Sequence, residues 1–401
     1  MTTVHFRLLD PVPADVREAL RKHLYWVAPD ITHVSITGSV PPEVTVTYQG
    51  ALPAAELETA LRRAAADMVA GASDFSTEMV ASSNVTLEKP ALTDPFPDLV
   101  DRRWVRQETP GAFAYSGVMA DAIEALDRVL RRRMLALGAS AVRLPSLVSP
   151  ATLLTAGTLP GGAATSNYVF HLQEGLSTPG RLEAVCDGSK PEGILDLRTV
   201  PNSSASPEAV LTSAVCQPFY PVLAGTTLEE PVVVTGQAPC YRYESGATEG
   251  LRRLREFTVR ELVYVGSEEE VLRTRDGLVK NAARLLEELL TLGEIRTASD
   301  PFFMDTFARM RMYQLAFKVK HEYVAVLPFD GSEVAIGSIN YHGDHFGRAW
   351  RIRTANGEFA HSCCMGFGLE RWAYTVFSQH GLDPYRWPAE LRRMMEDSRD
   401  Q

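Results

Sequence analysis

Apolar positions along the chain fall into two regimes. In the first 85 or so residues they come in short blocks. His5–Leu9 reads as a strand, and Ala14–Trp26 as a helix with Val16, Leu20 and Leu24 on one face. Ile31–Thr37 and Glu43–Tyr48 are β-rich runs joined by a Gly-Ser-Val-Pro-Pro turn, and Pro53–Ala70 places Leu57, Leu61, Ala65 and Val69 in helical period. The order β-α-β-β-α predicts a small α+β domain over residues 1–88, followed by the linker Asp94-Pro95-Phe96-Pro97.

From residue 98 onward the elements lengthen. Met119, Ile123, Leu126, Leu130, Met134 and Leu137 recur at three- and four-residue steps, which predicts a helix over Met119–Leu137 that Gly138 can stop. A strand over Ala141–Val148 is interrupted by Pro145, which points to an edge or an interface. Residues 155–165 read as a loop, and Leu211–Val215 and Pro231–Thr235 as strands. Two β-like runs within 240–262 flank a polar, glycine-bearing tip, the pattern of a long hairpin. Arg242 and Glu244 are two apart and are expected on one face, as are Phe257, Val259 and Glu261. Near the C-terminus, Cys364-Met365-Gly366-Phe367-Gly368-Leu369-Glu370-Arg371 reads as a strand turning into a helix. Its glycines admit a flat ligand where a Cβ would clash, and Arg371 on the first helical turn suits a phosphate. Taken singly, the hairpin is equally well a salt-bridged sheet, and the glycines a tight turn.

Composition narrows the class. The chain has 401 residues, 45% hydrophobic and 22% charged, as in ordinary globular proteins. A net charge of −10 gives no global field for nucleic acid. Five cysteines, an odd number, do not resemble a secreted disulfide framework. The N-terminal residues show no signal-peptide pattern and no apolar run spans a membrane, so a cytoplasmic protein is expected. His23 and His33 are expected at the surface or in packing.

Together these stretches resemble the class II aminoacyl-tRNA synthetases. Arg242-x-Glu244 with its loop and Phe257 is similar to their second signature motif, and Gly366–Arg371 to their third. Met119–Leu137, the following strand and Pro145 are similar to the first, which builds a dimer interface. Within that class, Gly250–Phe257 and Ser338–Asp344 are similar to stretches of seryl-tRNA synthetases. The resemblance implies an antiparallel-sheet α+β catalytic domain over 98–401, a homodimer, and ATP as substrate. It further implies that Arg242 holds the α-phosphate, Phe257 stacks on adenine, and Arg371 takes the γ-phosphate end, with Glu244 and Arg253 as further ATP contacts. Magnesium is implied too. The acidic residue that family uses falls at Ala335 here, and Glu333, two residues earlier, is expected to substitute.

A narrower resemblance concerns zinc. An atypical seryl-tRNA synthetase branch and the related amino acid:[carrier protein] ligases hold zinc with Cys, Glu and Cys, and Cys216, Glu261 and Cys364 fall at the matching places. Three protein ligands leave one position open, which suits the α-amine of a small amino acid. Cys363, Cys186 and Cys240 are expected to be structural. His342, Asp344 and His345 form a polar cluster suited equally to substrate contact or to a hydrated loop. Residues 1–85 carry six basic and ten acidic side chains, a net of −4, which is a poor grip on tRNA. That favours a carrier protein as acceptor, with Arg131-Arg132-Arg133 and Arg102-Arg103 as candidate docking patches. Charging of tRNA remains the alternative, and a non-catalytic regulator is disfavoured by the intact ATP-site residues.

Overall fold

β-branched and apolar residues alternate over β1 (Thr2–Arg7), β2 (Ile31–Ile36) and β3 (Glu43–Tyr48), which pair antiparallel in the order β1-β3-β2 in the computed structural model. The structure describes residues 1–9, 12, 14–38, 40–70, 77–171, 177–189, 207–300 and 307–399. Helices α1 (Ala14–Leu24) and α2 (Ala54–Ala70) cover this sheet. Leu20, Leu24, Leu57 and Leu61 meet Val44, Val46 and Tyr48 there, all buried. One residue from far along the chain, Ala247, enters the same core.

The larger sheet is built from β4 (Met79–Ser82), β5 (Ser140–Ala141), β6 (Val232–Tyr241), β7 (Glu256–Gly266), β8 (Gly293–Thr297), β9 (Lys320–Leu327), β10 (Ser332–Gly343) and β11 (His361–Gly368). Its order is β4-β8-β9-β10-β11-β7-β6-β5. Every pairing is antiparallel except the short β5–β6 edge. β4 lies inside the stretch expected to form the N-terminal unit, yet it pairs with β8 at the other edge.

Three helices back the sheet: α3 (Gly117–Ala136), α4 (Glu268–Lys280) and α5 (Leu369–His380). The apolar stripe of α3, including Met119, Leu126 and Leu130, packs into one core with Phe367, Trp372 and Phe377. Arg260 of β7 donates to both carboxylate oxygens of Asp127 on α3 at 2.7 Å each. This pairing fixes the helix to the strand. Ser267 caps α4, with Glu270 closing a capping box.

Three expectations differ from the structure. The strand foreseen over Ala141–Val148 splits around Pro145, which has no N–H to donate: Ser140–Ala141 pairs with β6, while Leu147–Val148 joins a separate small sheet. The strand foreseen to Val215 stops at Leu211, because the Thr212 hydroxyl donates to the Ala214 carbonyl at 2.7 Å and turns the chain. The loop foreseen over 155–165 holds a short helix, Thr158–Gly162, and a single 3-10 turn. Of the candidate docking arginines, Arg102, Arg103, Arg131 and Arg132 are exposed, and some also have partners. Arg132 and Arg133 pair with Glu390, and Arg133 also with Glu288, while Arg102 lies over the Trp104 ring at 5.1 Å.

Candidate active site

β-alternation brings the site together. On β7, Phe257, Val259 and Glu261 face a cleft of about 340 Å³, and Arg260 between them faces α3. On the adjacent β11, Cys364, Gly366 and Gly368 line the same cleft, and Gly366 is opposite Glu261 in register. A Cβ on Gly366 would approach Val259 Cγ1 to 3.3 Å, so the bare backbone keeps the floor open. Arg242, at the end of β6, and Arg371, on the first turn of α5, reach in from the flanks, and Cys216 comes from the turn before β6. Six of the nine residues singled out from the sequence therefore share one cleft: Cys216, Arg242, Phe257, Glu261, Cys364 and Arg371.

Cys216, Glu261 and Cys364 form a cluster whose ligand atoms all lie within 4.8 Å of one another, and all three are buried. The Cys216 N–H donates to Glu261 Oε2 at 2.9 Å. Among the described residues no cationic side chain pairs with these three acidic groups, and each is pushed towards its neutral form. The Cys216 thiol is raised well above its usual range by its hydrogen bond with Cys364, then by burial and by Glu261. Cys364 is lowered by its Cys216 bond, but burial and Glu261 outweigh that and raise it. Burial raises Glu261. Two thiolates and a carboxylate at this spacing match the donors zinc takes, and a divalent cation would supply the missing positive charge. Around the cluster, Asn340 Nδ2 lies 3.6 Å and His342 Nε2 3.7 Å from the Cys364 sulfur. The Tyr220 hydroxyl is 3.2 Å from His342 Nδ1 and 3.3 Å from the Ser362 hydroxyl, which fixes the imidazole ring.

At the other end of the cleft, the Arg242 guanidinium lies over the Phe257 ring at 5.2 Å and donates to the Ser213 carbonyl at 3.3 Å. Arg371 donates to the Ala335 carbonyl at 3.1 Å. Its guanidinium is lowered to about 10 by burial and then by Arg253 and Arg242, against the opposing pull of Glu244 and Glu322. Next to it, Glu370 accepts from the Thr258 N–H, and burial raises its carboxyl to about 7.

Three expected residues do not line the cleft. Arg242 continues the ladder through a 2.9 Å bond from its N–H to the Arg255 carbonyl, but the chain then departs from strand geometry, and Ser245 has φ +51°. Glu244 is not among the residues that line the cleft. It is buried between Lys22 at 2.9 Å and Arg253 at 3.0 Å, which takes Arg253 with it. Burial alone would raise the Glu244 carboxyl; the two cations outweigh it and hold it at about 2. Glu333, the expected magnesium residue, pairs with Arg296 at 2.8 Å and is not among the residues lining the cleft. Glu322 of β9 does line the cleft, engaged by Lys320 at 3.1 Å.

Lys320 and Asp300 are the residues that sequence reasoning missed. They form an ion pair in the cleft wall, Lys320 buried and Asp300 half-exposed, and Gln314 donates to Asp300 at 2.9 Å. No periodicity marks a buried cation; only the out-of-pattern lysine at the start of an apolar strand hinted at it. Of the polar cluster 342–345, His342 reaches the cleft, whereas Asp344 pairs with Arg348 and His345 bonds the Ala156 carbonyl. Cys363 packs with its sulfur towards the Val271 carbonyl and Cys240 is buried, but Cys186 is exposed.

Comparison with known proteins follows the same lines. Residues 205–380 match the tRNA synthetase class II core domain (G, H, P, S and T). The chain is 30% identical over 316 residues to amino acid–[acyl-carrier-protein] ligase 1 of Bradyrhizobium diazoefficiens, covering 76% of this chain and 91% of that one. It is 29% identical over 317 residues to the type-2 serine–tRNA ligase of Methanopyrus kandleri, covering 74% of this chain and 59% of that one. Among solved structures, seryl-tRNA synthetase of M. kandleri in complex with a tRNASec superposes with a TM-score of 0.70 at 23% identity, over 99% of this chain and 77% of the other. Seryl-tRNA synthetase of Pyrococcus horikoshii complexed with ATP superposes with a TM-score of 0.59 at 14% identity, over 86% and 79%.

Proposed function

The chain belongs to the amino acid–[acyl-carrier-protein] ligases, built on the class II aminoacyl-tRNA synthetase fold, and from that premise we propose that it activates a small amino acid with ATP and passes it to the phosphopantetheine thiol of a carrier protein. One observation carries the reading: the Cys216–Glu261–Cys364 cluster and the phosphate-reading arginines share a single cleft.

The amino acid carboxylate attacks the α-phosphorus of ATP, the bond to the bridging oxygen breaks, and pyrophosphate leaves. Arg242 holds the α-phosphate, with adenine stacked on Phe257, and Arg371 holds the far end of the triphosphate. Arg371 is half-buried in the cleft, where charge is screened less than in open water, so its attraction for a polyphosphate is stronger than that of a solvated arginine. Zinc, when bound at Cys216, Glu261 and Cys364, supplies an open coordination position for the α-amine. In the second step the carrier thiol attacks the acyl carbon, AMP leaves with the bonding pair, and the thiol proton is lost. On this reading the cleft, walled in part by Asn340 and Phe346, must also take ATP, which favours a small side chain.

The acceptor is argued from charge. In the N-terminal domain, Arg7, Arg62 and Arg63 pair with Glu43, Glu58 and Asp67, while Arg21 and Lys22 turn inward on the catalytic unit. Few cations are left to neutralise the phosphates of a tRNA. The homology runs through 91% of the carrier-protein ligase against 59% of the serine–tRNA ligase, which favours the same acceptor. We further propose a homodimer joined through the surface around α3. Among the described residues no helix is long and apolar enough to cross a membrane. The test is ATP–pyrophosphate exchange with each amino acid, then transfer to a holo carrier protein as a thioester that hydroxylamine cleaves. Efficient charging of tRNA with no carrier labelled would reject the reading.

A further inference from the structure

We infer that the N-terminal domain is a working part of the ATP site, with Lys22 as the residue that positions the loop between β6 and β7. The inference rests on the proposed ATP chemistry and assigns a role to a domain that chemistry leaves idle. The last turn of α1 and the residues after it meet the tip of the loop at successive points. Arg21 donates to the Ala247 carbonyl at 3.5 Å, and Lys22 pairs with Glu244 at 2.9 Å. Tyr25 packs under Gly246 so closely that a Cβ there would sit 2.4 Å from its ring. Trp26 meets Tyr243 edge to face at 6.0 Å. Ala247, fully buried, is part of the N-terminal domain's own core.

A loop of fourteen residues, 242–255, would by itself sample many conformations, and ordering it costs free energy. Here its tip is seated in another domain before any ligand arrives. The electrostatics are specific as well as the packing. Glu244 is 8% exposed and its carboxylate lies between Lys22 and Arg253. Without Lys22 a buried carboxylate keeps one cation, Arg253, and the pair loses the geometry fixed from the other side. Arg242, two residues before Glu244 and lining the cleft, is anchored to the same segment. Lys22 touches no reacting atom; it acts through Glu244 and the loop on how well the arginines are placed for a triphosphate.

The experiment uses the full chain. ATP binding is measured by calorimetry, and Michaelis constants for ATP and amino acid by ATP–pyrophosphate exchange. Lys22→Met is expected to weaken ATP binding roughly tenfold and to raise KM for ATP by a similar factor, the scale of one charge-assisted contact. KM for the amino acid is expected to stay put, and Lys22→Arg to restore ATP binding to within about twofold of the unaltered protein. Lys22→Gln replaces the methionine variant should that one misfold. Unchanged ATP binding in Lys22→Met overturns the inference alone. So does a variant that raises both Michaelis constants equally and is not rescued by arginine, since that is the signature of a merely structural contact. A protein that binds ATP but exchanges with no amino acid rejects the proposed function instead, and the calorimetric comparison still decides the role of Lys22.

Discussion

Loading the Cys216–Glu261–Cys364 cluster with zinc is expected to expel protons, and their number follows from the structure. Both thiols titrate above their ordinary range, Cys216 well above it, so near pH 7.5 each holds its proton before the metal arrives. Zinc binds thiolate, so about two protons must leave per ion. The sign is then fixed: affinity rises with pH, by about a hundredfold per unit while both thiols start protonated. Calorimetric titration of apo protein with zinc, in buffers of contrasting ionisation enthalpy at one pH, reads the proton count from the slope. Cys364→Ser keeps a hydrogen-bonding hydroxyl that is a far weaker acid. It should cut the count to about one and the affinity on the order of a thousandfold or more. Release of well under one proton by the unaltered protein, or full zinc occupancy in both Cys216→Ser and Cys364→Ser, would refute the assignment.

Further outcomes can be checked separately. Arg242→Ala and Arg371→Ala should each slow ATP–pyrophosphate exchange by roughly a hundredfold while the protein stays folded, and near-normal rates in both would mean the arginines do not read the triphosphate. Asp127→Ala should lower stability by about 3 kcal/mol in urea melts, because it strands the Arg260 guanidinium, 6% exposed, without its bidentate partner; a loss near zero would show that water reaches it. Glu370 has its carboxyl raised from 4.5 to about 7, so the folded chain keeps a proton that the unfolded chain gives up between those values. Its contribution to stability is present below about pH 4.5 and lost as pH rises through 7, and Glu370→Gln should flatten the stability–pH profile there by up to about 3 kcal/mol. An identical profile for the variant would show that Glu370 is ionised throughout.

Local spacing carried much of the site into view. Alternation along β7 placed Phe257, Val259 and Glu261 together, and the strand folds that way, with Arg260 between them turned to α3. The junction at Gly368 was legible because two glycines and an arginine sit at a strand-to-helix turn. What failed was alternation carried past the end of a strand. Arg242 lines the cleft and Glu244 does not, because past the end of β6 the Glu244 carboxylate is drawn into an ion pair with Lys22 of a domain some two hundred residues away. Glu333 keeps strand geometry but lies beyond the bulge opposite Tyr323 and Val324, where Arg296 of β8 takes its charge. The Lys320–Asp300 pair is a contact between distant segments, which no pattern within either segment encodes.

Cys364 and Arg371 stand seven residues apart on one continuous strand–helix junction, with Gly366, Phe367 and Gly368 between them. On the proposed reading one end grips the amine and the other the triphosphate, so the junction acts as a ruler for the molecule stretched between them. An α-amino acid has one carbon separating nitrogen from carboxylate. A β-amino acid adds a carbon–carbon bond, about 1.5 Å, and brings its carboxylate to the wrong mark on a gauge held in an antiparallel sheet on both sides. β-Alanine should therefore compete with glycine for the cleft and yet support little pyrophosphate exchange. Exchange with β-alanine as fast as with glycine would show that the distance is not gauged here.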